Sequence, residues 1–213
     1  MRKTDRKQHW EDIYRTKRPD EVSWFQPVPA TSLDFLNFFN IPTTARIIDI
    51  GGGDSFFVDC LLDAGYHDIT VVDISEAALI RAQQRLGNRA ARVKWIVEDI
   101  ATFAPTGKFD FWHDRAAFHF LTGESEIEAY INTVRRCIPE GGFLVIGAFS
   151  EKGPKKCSGL EISQYSEDSM SSRFGKYFEK IKCVTANHKT PFDTVQNFIF
   201  CGFRRLQTIL QDE

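Results

Sequence analysis

A run of three glycines flanked by acidic residues is the part of this sequence best suited to chemistry. The glycines at 51–53 directly follow an apolar run, 45–50, that contains Asp49. Glycine lets the backbone turn sharply there and approach a ligand without a Cβ in the way. Two further acids, Asp73 and Asp99, each close a later apolar run. We therefore expect three carboxylates at the carboxyl ends of neighbouring strands, the edge where open α/β sheets bind ligands.

These acids indicate the chemistry of the ligand. A dinucleotide carries a pyrophosphate, which nearby carboxylates repel. A sulfonium-bearing nucleoside instead offers a positive charge, an amino group, a ribose diol and an adenine amine, which suit Asp49, Asp73 and Asp99 respectively. The third glycine of the dinucleotide fingerprint is also missing, since Phe56 stands in its place. The residues favour the sulfonium nucleoside over a nicotinamide dinucleotide.

The elements that position these acids are short apolar runs that alternate with helical segments. We expect strands at 45–50, 69–73, 93–97, 109–113 and 143–149, and helices at 55–65, 75–86 and 124–137. The runs are continuously apolar, which indicates a parallel sheet covered by helices on both faces. Segments 180–188 and 194–205 are joined by a short turn and must therefore be antiparallel. The predicted fold is α/β: a Rossmann-like, doubly wound, mostly parallel seven-stranded sheet with a C-terminal antiparallel hairpin strand.

Two helices separated by a proline-containing stretch are expected before the sheet. The first covers about 5–18 and places Trp10 and Tyr14 on one face. Thr31 or Ser32 is a suitable cap for the second.

The glycine motif resembles that of class I S-adenosylmethionine-dependent methyltransferases. Their pattern is an acid, any residue, then Gly-x-Gly-x-Gly, and here Ser55 stands in place of the last glycine. The resemblance implies S-adenosylmethionine as the cofactor, and we expect no metal. It implies cofactor contacts from Asp49, Gly51, Gly53, Asp73, Ile74, Asp99, Ile100 and, in the N-terminal segment, Trp24.

Two further segments resemble a narrower subgroup that includes small lysine-directed and thiol-methyltransferase-like enzymes. They are the N-terminal segment with its Glu-Val-Ser-Trp-Phe-Gln run at 21–26, and the run 112–120. The resemblance places Asp114 at the methyl acceptor, which it would orient, with Tyr14 or His119 near it to relay a proton. The acid is followed by Arg-Ala-Ala and not by the Lys-Gly-Thr of lysine-directed members, so the acceptor stays open.

Each candidate also has a structural alternative. Asp114 is equally suited to cap the segment after it, and Tyr14 to the apolar face of the first helix. His119 fits a packed position as well as a site position. Trp24 and Phe25 suit either a lid over the cofactor or packing between the N-terminal arm and the sheet.

We expect one methyltransferase domain over 1–213. Its parts are an N-terminal arm or lid at 1–30, a cofactor-binding core at 40–150, a substrate-side insertion at 150–179 and a terminal hairpin at 180–213. The predicted function is transfer of a methyl group from S-adenosylmethionine to a small molecule or a protein side chain. The alternatives are a non-catalytic binding module with a methyltransferase fold and an NAD-binding oxidoreductase.

The composition of the chain argues against nucleic acid and membranes as binding partners. The chain has 27 Lys and Arg against 29 Asp and Glu, a net charge of −2, which gives no overall attraction to nucleic acid or anionic membrane. No apolar run approaches the ~20 residues of a membrane span. The charged N-terminus has no apolar leader, so we expect a cytoplasmic protein. The five cysteines include no Cys-x-x-Cys pair, which argues against a disulfide framework or a zinc ribbon. The oligomeric state stays open.

Overall fold

The computed structural model describes residues 3–207 of the chain. Its helices are α1 Lys3–Thr16, α2 Ala30–Phe38, α3 Phe57–Asp63, α4 Glu76–Leu86, α5 Glu124–Cys137 and α6 Glu167–Phe174. Its strands are β1 Arg46–Ile50, β2 Asp68–Asp73, β3 Val93–Val97, β4 Phe111–Arg115, β5 Phe143–Phe149, β6 Lys156–Cys157, β7 Leu160–Glu161, β8 Phe178–Lys189 and β9 Val195–Arg205.

The central sheet has seven strands in the order β3-β2-β1-β4-β5-β9-β8. Strands β1 to β5 are parallel, and β9 runs antiparallel to both β5 and β8. The predicted mostly parallel α/β sheet and its terminal antiparallel hairpin are thereby confirmed. Because the strand order reverses between β1 and β4, a crevice opens at the carboxyl ends of these two strands.

The parallel strands β1, β2, β4 and β5 are buried on both faces, as their continuous apolar sequence predicts, whereas the edge strand β3 is only partly buried. Neighbouring residues of a strand point to opposite faces, and both Ile47 and Ile48 of β1 have no exposed surface. One face packs against α5 and α6, with Val134 and Phe174 in the core. The other packs against α2, α3 and α4, with Phe35 among its buried residues. Two apolar cores therefore hold the crevice in place from either side of the sheet.

The fourth strand begins two residues later than the sequence predicts. It covers Phe111–Arg115 because Asp110 turns toward Arg46 and accepts hydrogen bonds from that residue's backbone N–H (2.9 Å) and guanidinium (2.8 and 3.0 Å). Asp114 and Arg115 consequently belong to the strand itself. As sequence neighbours in a strand they point to opposite faces of the sheet.

A disulfide joins the two strands of the terminal hairpin. Cys183 on β8 lies directly opposite Cys201 on β9, and their sulfurs are bonded. The sequence argues against a disulfide framework but did not predict this single bond, which forms because the antiparallel register brings together two cysteines that are 18 residues apart. Cys60, Cys137 and Cys157 are free.

The N-terminal arm and the segment after β5 are both tied to the sheet. From α1, Glu11 accepts hydrogen bonds from the backbone N–H groups of Glu76 (2.6 Å) and Ala77 (3.2 Å) at the start of α4. The segment after β5 returns through Ser163, whose backbone N–H donates to the carbonyl of His119. Of the helices described between residues 3 and 207, none has the length and apolar character needed to cross a membrane.

Candidate active site

A cavity opens at the carboxyl ends of β1 to β4, where the strand order reverses. Its empty volume is about 1130 Å³, open mouth included. Most of the predicted site residues line it, namely Tyr14, Trp24, Asp49, Gly51, Asp73, Ile74, Asp99 and Ile100. Gly53, Asp114 and His119 lie outside the lining. The structure therefore brings the predicted cofactor-binding set together and separates two of the three predicted catalytic residues from it.

The glycine loop has a backbone that other residues would strain. Gly51 and Gly53 have φ angles of +63° and +48°, in the left-handed region that favours glycine. A Cβ on Gly51 would stand 2.6 Å from Cβ of Ala117, and one on Gly53 would stand 2.7 Å from the hydroxyl of Tyr14. Gly53 thus lets α1 approach the loop, although it does not itself line the cavity.

The carboxylates of Asp73 and Asp99 are buried and oriented by backbone N–H groups. Asp73 accepts from the N–H of Ser75 (2.8 Å), and Asp99 accepts from that of Ala101 (2.9 Å). Burial raises the pKa of Asp73 to about 7, and the nearby carboxylate of Asp54 adds to the increase. Each acid keeps lone pairs beyond its backbone bond, so the cavity favours a ligand with hydroxyl or amine donors.

A buried hydrogen-bonded chain fixes the third acid. Nδ1 of His113 lies 2.7 Å from Oδ1 of Asp49, and its Nε2 lies 2.8 Å from the hydroxyl of Ser32. A carboxylate can only accept, so Nδ1 carries the proton of the first bond. All three side chains are at most 3% exposed and line the cavity. Ser32 lies inside α2, whose N-cap is Pro29, and so does not act as the predicted cap.

Asp114 does not face the cavity. Its Oδ1 accepts from the backbone N–H groups of Ala117 and Phe118, both at 3.0 Å, and its Oδ2 accepts from the hydroxyl of Tyr130 at 2.6 Å. The residue has no exposed surface, and this burial raises its pKa to about 6. The expectation that Asp114 orients the acceptor does not fit this geometry, because its oxygens hold the loop after β4 against α5.

His119 is likewise removed from the cavity, whereas Tyr14 lies in it. The ring of His119 is fully buried, packs on Phe149 at 4.8 Å and accepts from that residue's backbone N–H. Burial and the charge of Arg115 lower the pKa of His119 to about 3, so the imidazole is neutral at physiological pH. The pKa of Tyr14 is raised above its usual value by burial and by the carboxylate of Asp73. Neither side chain is suited to take up a proton near pH 7.

Aromatic rings from the N-terminal arm form one wall of the cavity. The ring centroid of Trp10 lies 5.6 Å from Trp24 and 5.1 Å from Phe120, and Tyr14 lies 6.0 Å from Trp24. All four residues line the cavity. Trp24 therefore combines the two roles considered for it, since it packs against the arm and also faces the site.

Several residues of the site were missed by the sequence reasoning. Ser32, Cys157 and Arg115 line the cavity, and Arg6 of α1 also does so while lying 3.5 Å from Asp99. No sequence motif marks Ser32 and Arg6, which lie in the N-terminal helices, or Cys157, which lies in the segment after β5. Only the folded chain brings these residues to the edge of the sheet. Arg115 had a signal, because an arginine inside an apolar strand is rarely buried without a partner.

Residues 47–142 match a family model described as a methyltransferase domain. Over 138 residues the chain is 25% identical to the eEF1A lysine and N-terminal methyltransferase of Mus musculus, a match that covers 63% of this chain and 19% of that protein. The chain thus spans about a fifth of the length of this relative.

Two solved structures resemble nearly the whole chain. The N-methyltransferase NodS from Bradyrhizobium japonicum, in complex with S-adenosyl-L-homocysteine, has a TM-score of 0.71 at 16% identity, over 93% of this chain and 99% of that one. The 1,6-didemethyltoxoflavin-N1-methyltransferase of Burkholderia thailandensis has a TM-score of 0.69 at 15% identity, over 96% and 87% of the two chains. At this level of identity the similarity establishes the fold.

The domain match and the fold agree. Residues 47–142 match a methyltransferase domain, and nearly the whole chain has the fold of the solved N-methyltransferases. The residues present suit S-adenosylmethionine, because three buried carboxylates at the ends of β1, β2 and β3 offer acceptors for an amino group, a ribose diol and an adenine amine. The glycine loop leaves room beside them that a Cβ would fill.

The affinity for S-adenosylhomocysteine is expected to rise about tenfold between pH 6 and pH 8. With its pKa near 7, Asp73 is mostly protonated at pH 6, and the ionised form is the one able to accept from both hydroxyls of a ribose, the role that we propose for it. Binding at pH 6 therefore costs the removal of a proton. Isothermal titration calorimetry at the two pH values measures the change, and Asp73→Asn should abolish it. Equal affinities for the wild-type protein would contradict this assignment.

Proposed function

We propose that the chain is an S-adenosylmethionine-dependent methyltransferase and that it acts on a small organic molecule, which enters the cavity beside the aromatic wall. The observation that carries the proposal is the enclosure of the site. Trp10 and Trp24 of the N-terminal arm line the same cavity as Asp73, Asp99 and the glycine loop. An arm lying over the site suits an acceptor small enough to be enclosed. The two solved structures that resemble nearly the whole chain are of N-methyltransferases, one of them with bound 1,6-didemethyltoxoflavin.

Bound S-adenosylmethionine supplies a methyl group on a positively charged sulfur, which is already activated for displacement. In our proposal Asp73 holds the ribose hydroxyls and Asp99 the adenine amine, with Ile74 and Ile100 packing beside the nucleoside. Asp49, fixed by His113, holds the amino group. The glycine loop at 51–53 admits the ligand close to the backbone.

The protein's contribution to the reaction is alignment and exclusion of water. Two residues predicted to handle a proton, Asp114 and His119, lie outside the cavity. The carboxylate oxygens of Asp114 and Nδ1 of His119 accept hydrogen bonds from the surrounding loop, helix and strand. The aromatic wall instead removes water from the reacting groups and restricts the approach of the acceptor. We place the methyl acceptor in the part of the cavity that is lined by the N-terminal arm, the loop after β4 and the segment after β5. That last segment contributes Cys157.

Thermal unfolding with added ligands tests the cofactor part of the proposal. A ligand at 100 times its Kd adds about 2.7 kcal/mol, which for a domain of this size raises Tm by roughly 5–10 °C. We expect such a shift with S-adenosylmethionine and with S-adenosylhomocysteine, and none with NAD. A shift with NAD alone would reassign Asp73 to the ribose of a dinucleotide and overturn the proposal.

The second candidate is a protein side chain as the acceptor. It is favoured by the 25% identity to the mouse protein whose name describes a lysine and N-terminal methyltransferase of eEF1A. Incubating the protein with methyl-labelled S-adenosylmethionine and a cell extract, then separating the extract by filtration at about 3 kDa, distinguishes the two. We expect a labelled product in the filtrate that chromatography separates from unreacted S-adenosylmethionine; labelled product found only in retained protein bands would favour the side-chain acceptor.

A further inference from the structure

Arg115 brings an uncompensated positive charge into the cavity. It stands at the end of β4 and lines the cavity, with its guanidinium 5.1 Å above the ring of Phe198. Nη1 donates to the backbone carbonyl of Trp24 at 3.2 Å. Nε and Nη2 are buried and have no hydrogen-bond partner within residues 3–207. Nor does any carboxylate of that part of the chain form an ion pair with this arginine.

The side chain of Arg115 is partly buried, and its two buried donors, Nε and Nη2, suit an anion. Burial lowers the pKa of Arg115 to about 10, so the side chain still carries its charge at neutral pH. Asp49 acts on it electrostatically, but that carboxylate is hydrogen-bonded to His113. Leaving charged donors buried without a partner costs free energy, which an incoming anion would recover. The indole N–H of Trp24, in the same cavity, is also buried without an acceptor.

The position of Arg115 in the sheet sets it apart from Asp73 and Asp99. Strand β4 lies between β1 and β5, with β9 beyond β5. Neighbouring strands are about 4.8 Å apart, so the end of β4 is roughly 14 Å from the end of β3, but only one strand spacing from β1, which carries Asp49. Phe198, beneath the guanidinium, belongs to β9. Arg115 thus lies on the β5 side of the cavity, which the proposed ribose and adenine contacts leave free for the acceptor.

We propose that Arg115 binds a carboxylate of the methyl acceptor, which makes the acceptor a small organic acid. This inference rests on the proposed function and specifies its substrate class. The planar guanidinium presents Nε and Nη2 side by side, the pair of donors that matches two carboxylate oxygens. Phe25, Phe120 and Cys157 line the cavity as well and suit an apolar body attached to that carboxylate. Arg115 is thus a specificity-determining residue for the acceptor.

The test compares phenylacetate with phenylacetamide, an acid and an amide of nearly equal shape, as probes of the S-adenosylhomocysteine-saturated protein. Calorimetry or ligand-observed NMR gives both Kd values. We expect phenylacetate to bind at least about tenfold more tightly than the amide to the wild-type protein. In Arg115→Gln the preference for the acid over the amide should fall below about twofold. Arg115→Lys should retain part of the preference, because lysine keeps the positive charge but lacks the paired donors of the guanidinium.

Arg205→Gln is the matched control. Arg205 also lies over aromatic rings, 5.6 Å from Phe178 and 6.0 Å from Tyr177, and also donates to a backbone carbonyl, but it is outside the cavity. This variant should keep the full preference for phenylacetate. Arg115→Gln should also unfold at the same or a higher temperature than the wild type, since it removes an unpaired buried charge. A large loss of Tm would show a structural role and overturn the proposal.

Two further results would overturn it. One is equal binding, or no binding, of the acid and the amide by the wild-type protein. The other is a cofactor role for Arg115. In that case Arg115→Gln would weaken the binding of S-adenosylhomocysteine, which has a carboxylate, and would not change the binding of 5′-methylthioadenosine, which has none. If S-adenosylhomocysteine fails to bind the wild-type protein, the proposed function fails. The probe pair measured on the protein alone then still decides whether Arg115 selects a carboxylate.

Discussion

Replacing Asp73 by asparagine is expected to weaken binding of S-adenosylhomocysteine about 100-fold. Asp73 ends β2, and one of its oxygens already accepts from the N–H of Ser75. In the proposed complex its remaining lone pairs accept from the two ribose hydroxyls, and charge-assisted hydrogen bonds contribute about 1.5–3 kcal/mol each. An asparagine offers one acceptor oxygen, no charge and an NH₂ group that meets a hydroxyl donor.

Calorimetry on the purified variant measures this loss, and Asp63→Asn is the control. Asp63 lies at the end of α3, is largely exposed and pairs with Arg89 outside the cavity. The control should bind S-adenosylhomocysteine as the wild type does. If Asp73→Asn stayed within threefold of the wild type, Asp73 would not hold the ribose and the cofactor would have to be placed differently in the cavity.

Replacing Asp114 by alanine is expected to lower the free energy of unfolding by about 3–4 kcal/mol. The change leaves three buried donors without acceptors, namely the backbone N–H groups of Ala117 and Phe118 and the hydroxyl of Tyr130. Each unsatisfied buried donor costs about 1–3 kcal/mol, and relaxation of the loop recovers part of that cost. For a domain of this size Tm should fall by roughly 6–14 °C.

Tyr130→Phe provides the graded comparison for this prediction. It removes the hydroxyl that donates to Asp114 and accepts from the indole N–H of Trp112 (3.1 Å), and it should cost about 2 kcal/mol while leaving the two backbone bonds of Asp114 in place. Chemical denaturation of both variants measures the difference, with the Kd of S-adenosylhomocysteine at 20 °C as the second readout. An Asp114→Ala protein that kept its stability but lost methyl transfer would instead restore the catalytic role that the sequence motif suggests.

Local sequence predicted the framework of the site correctly. The apolar runs ending at Asp49, Asp73 and Asp99 became parallel strands because continuously apolar segments of five to seven residues are stable only when covered on both faces. The sharp turn at 51–53 follows from glycine's access to positive φ, which is a property of the residue itself. The same reasoning predicted the antiparallel hairpin, since a short connection allows no other arrangement.

The roles of the residues after the fourth strand depended on a shift that local pattern does not contain. The pairing of Asp110 with Arg46, 64 residues apart, delays β4 by two positions. Strand alternation then sends Asp114 under the loop, toward Tyr130, and its neighbour Arg115 into the cavity. The sequence motif identified a segment that reaches the cavity, and of these two adjacent side chains it is Arg115 that lines the cavity.

Sequence by itself determined the sheet, the glycine turn and the acids at the carboxyl ends of the strands, because strands, turns and strand-end positions depend on short-range periodicity. Tertiary structure alone decided which side chains share the cavity. It brought His113 to Ser32 and Cys183 to Cys201, and it left Arg115 lining the cavity without an anion. These juxtapositions join residues far apart in the chain through strand order and register, which no local pattern encodes.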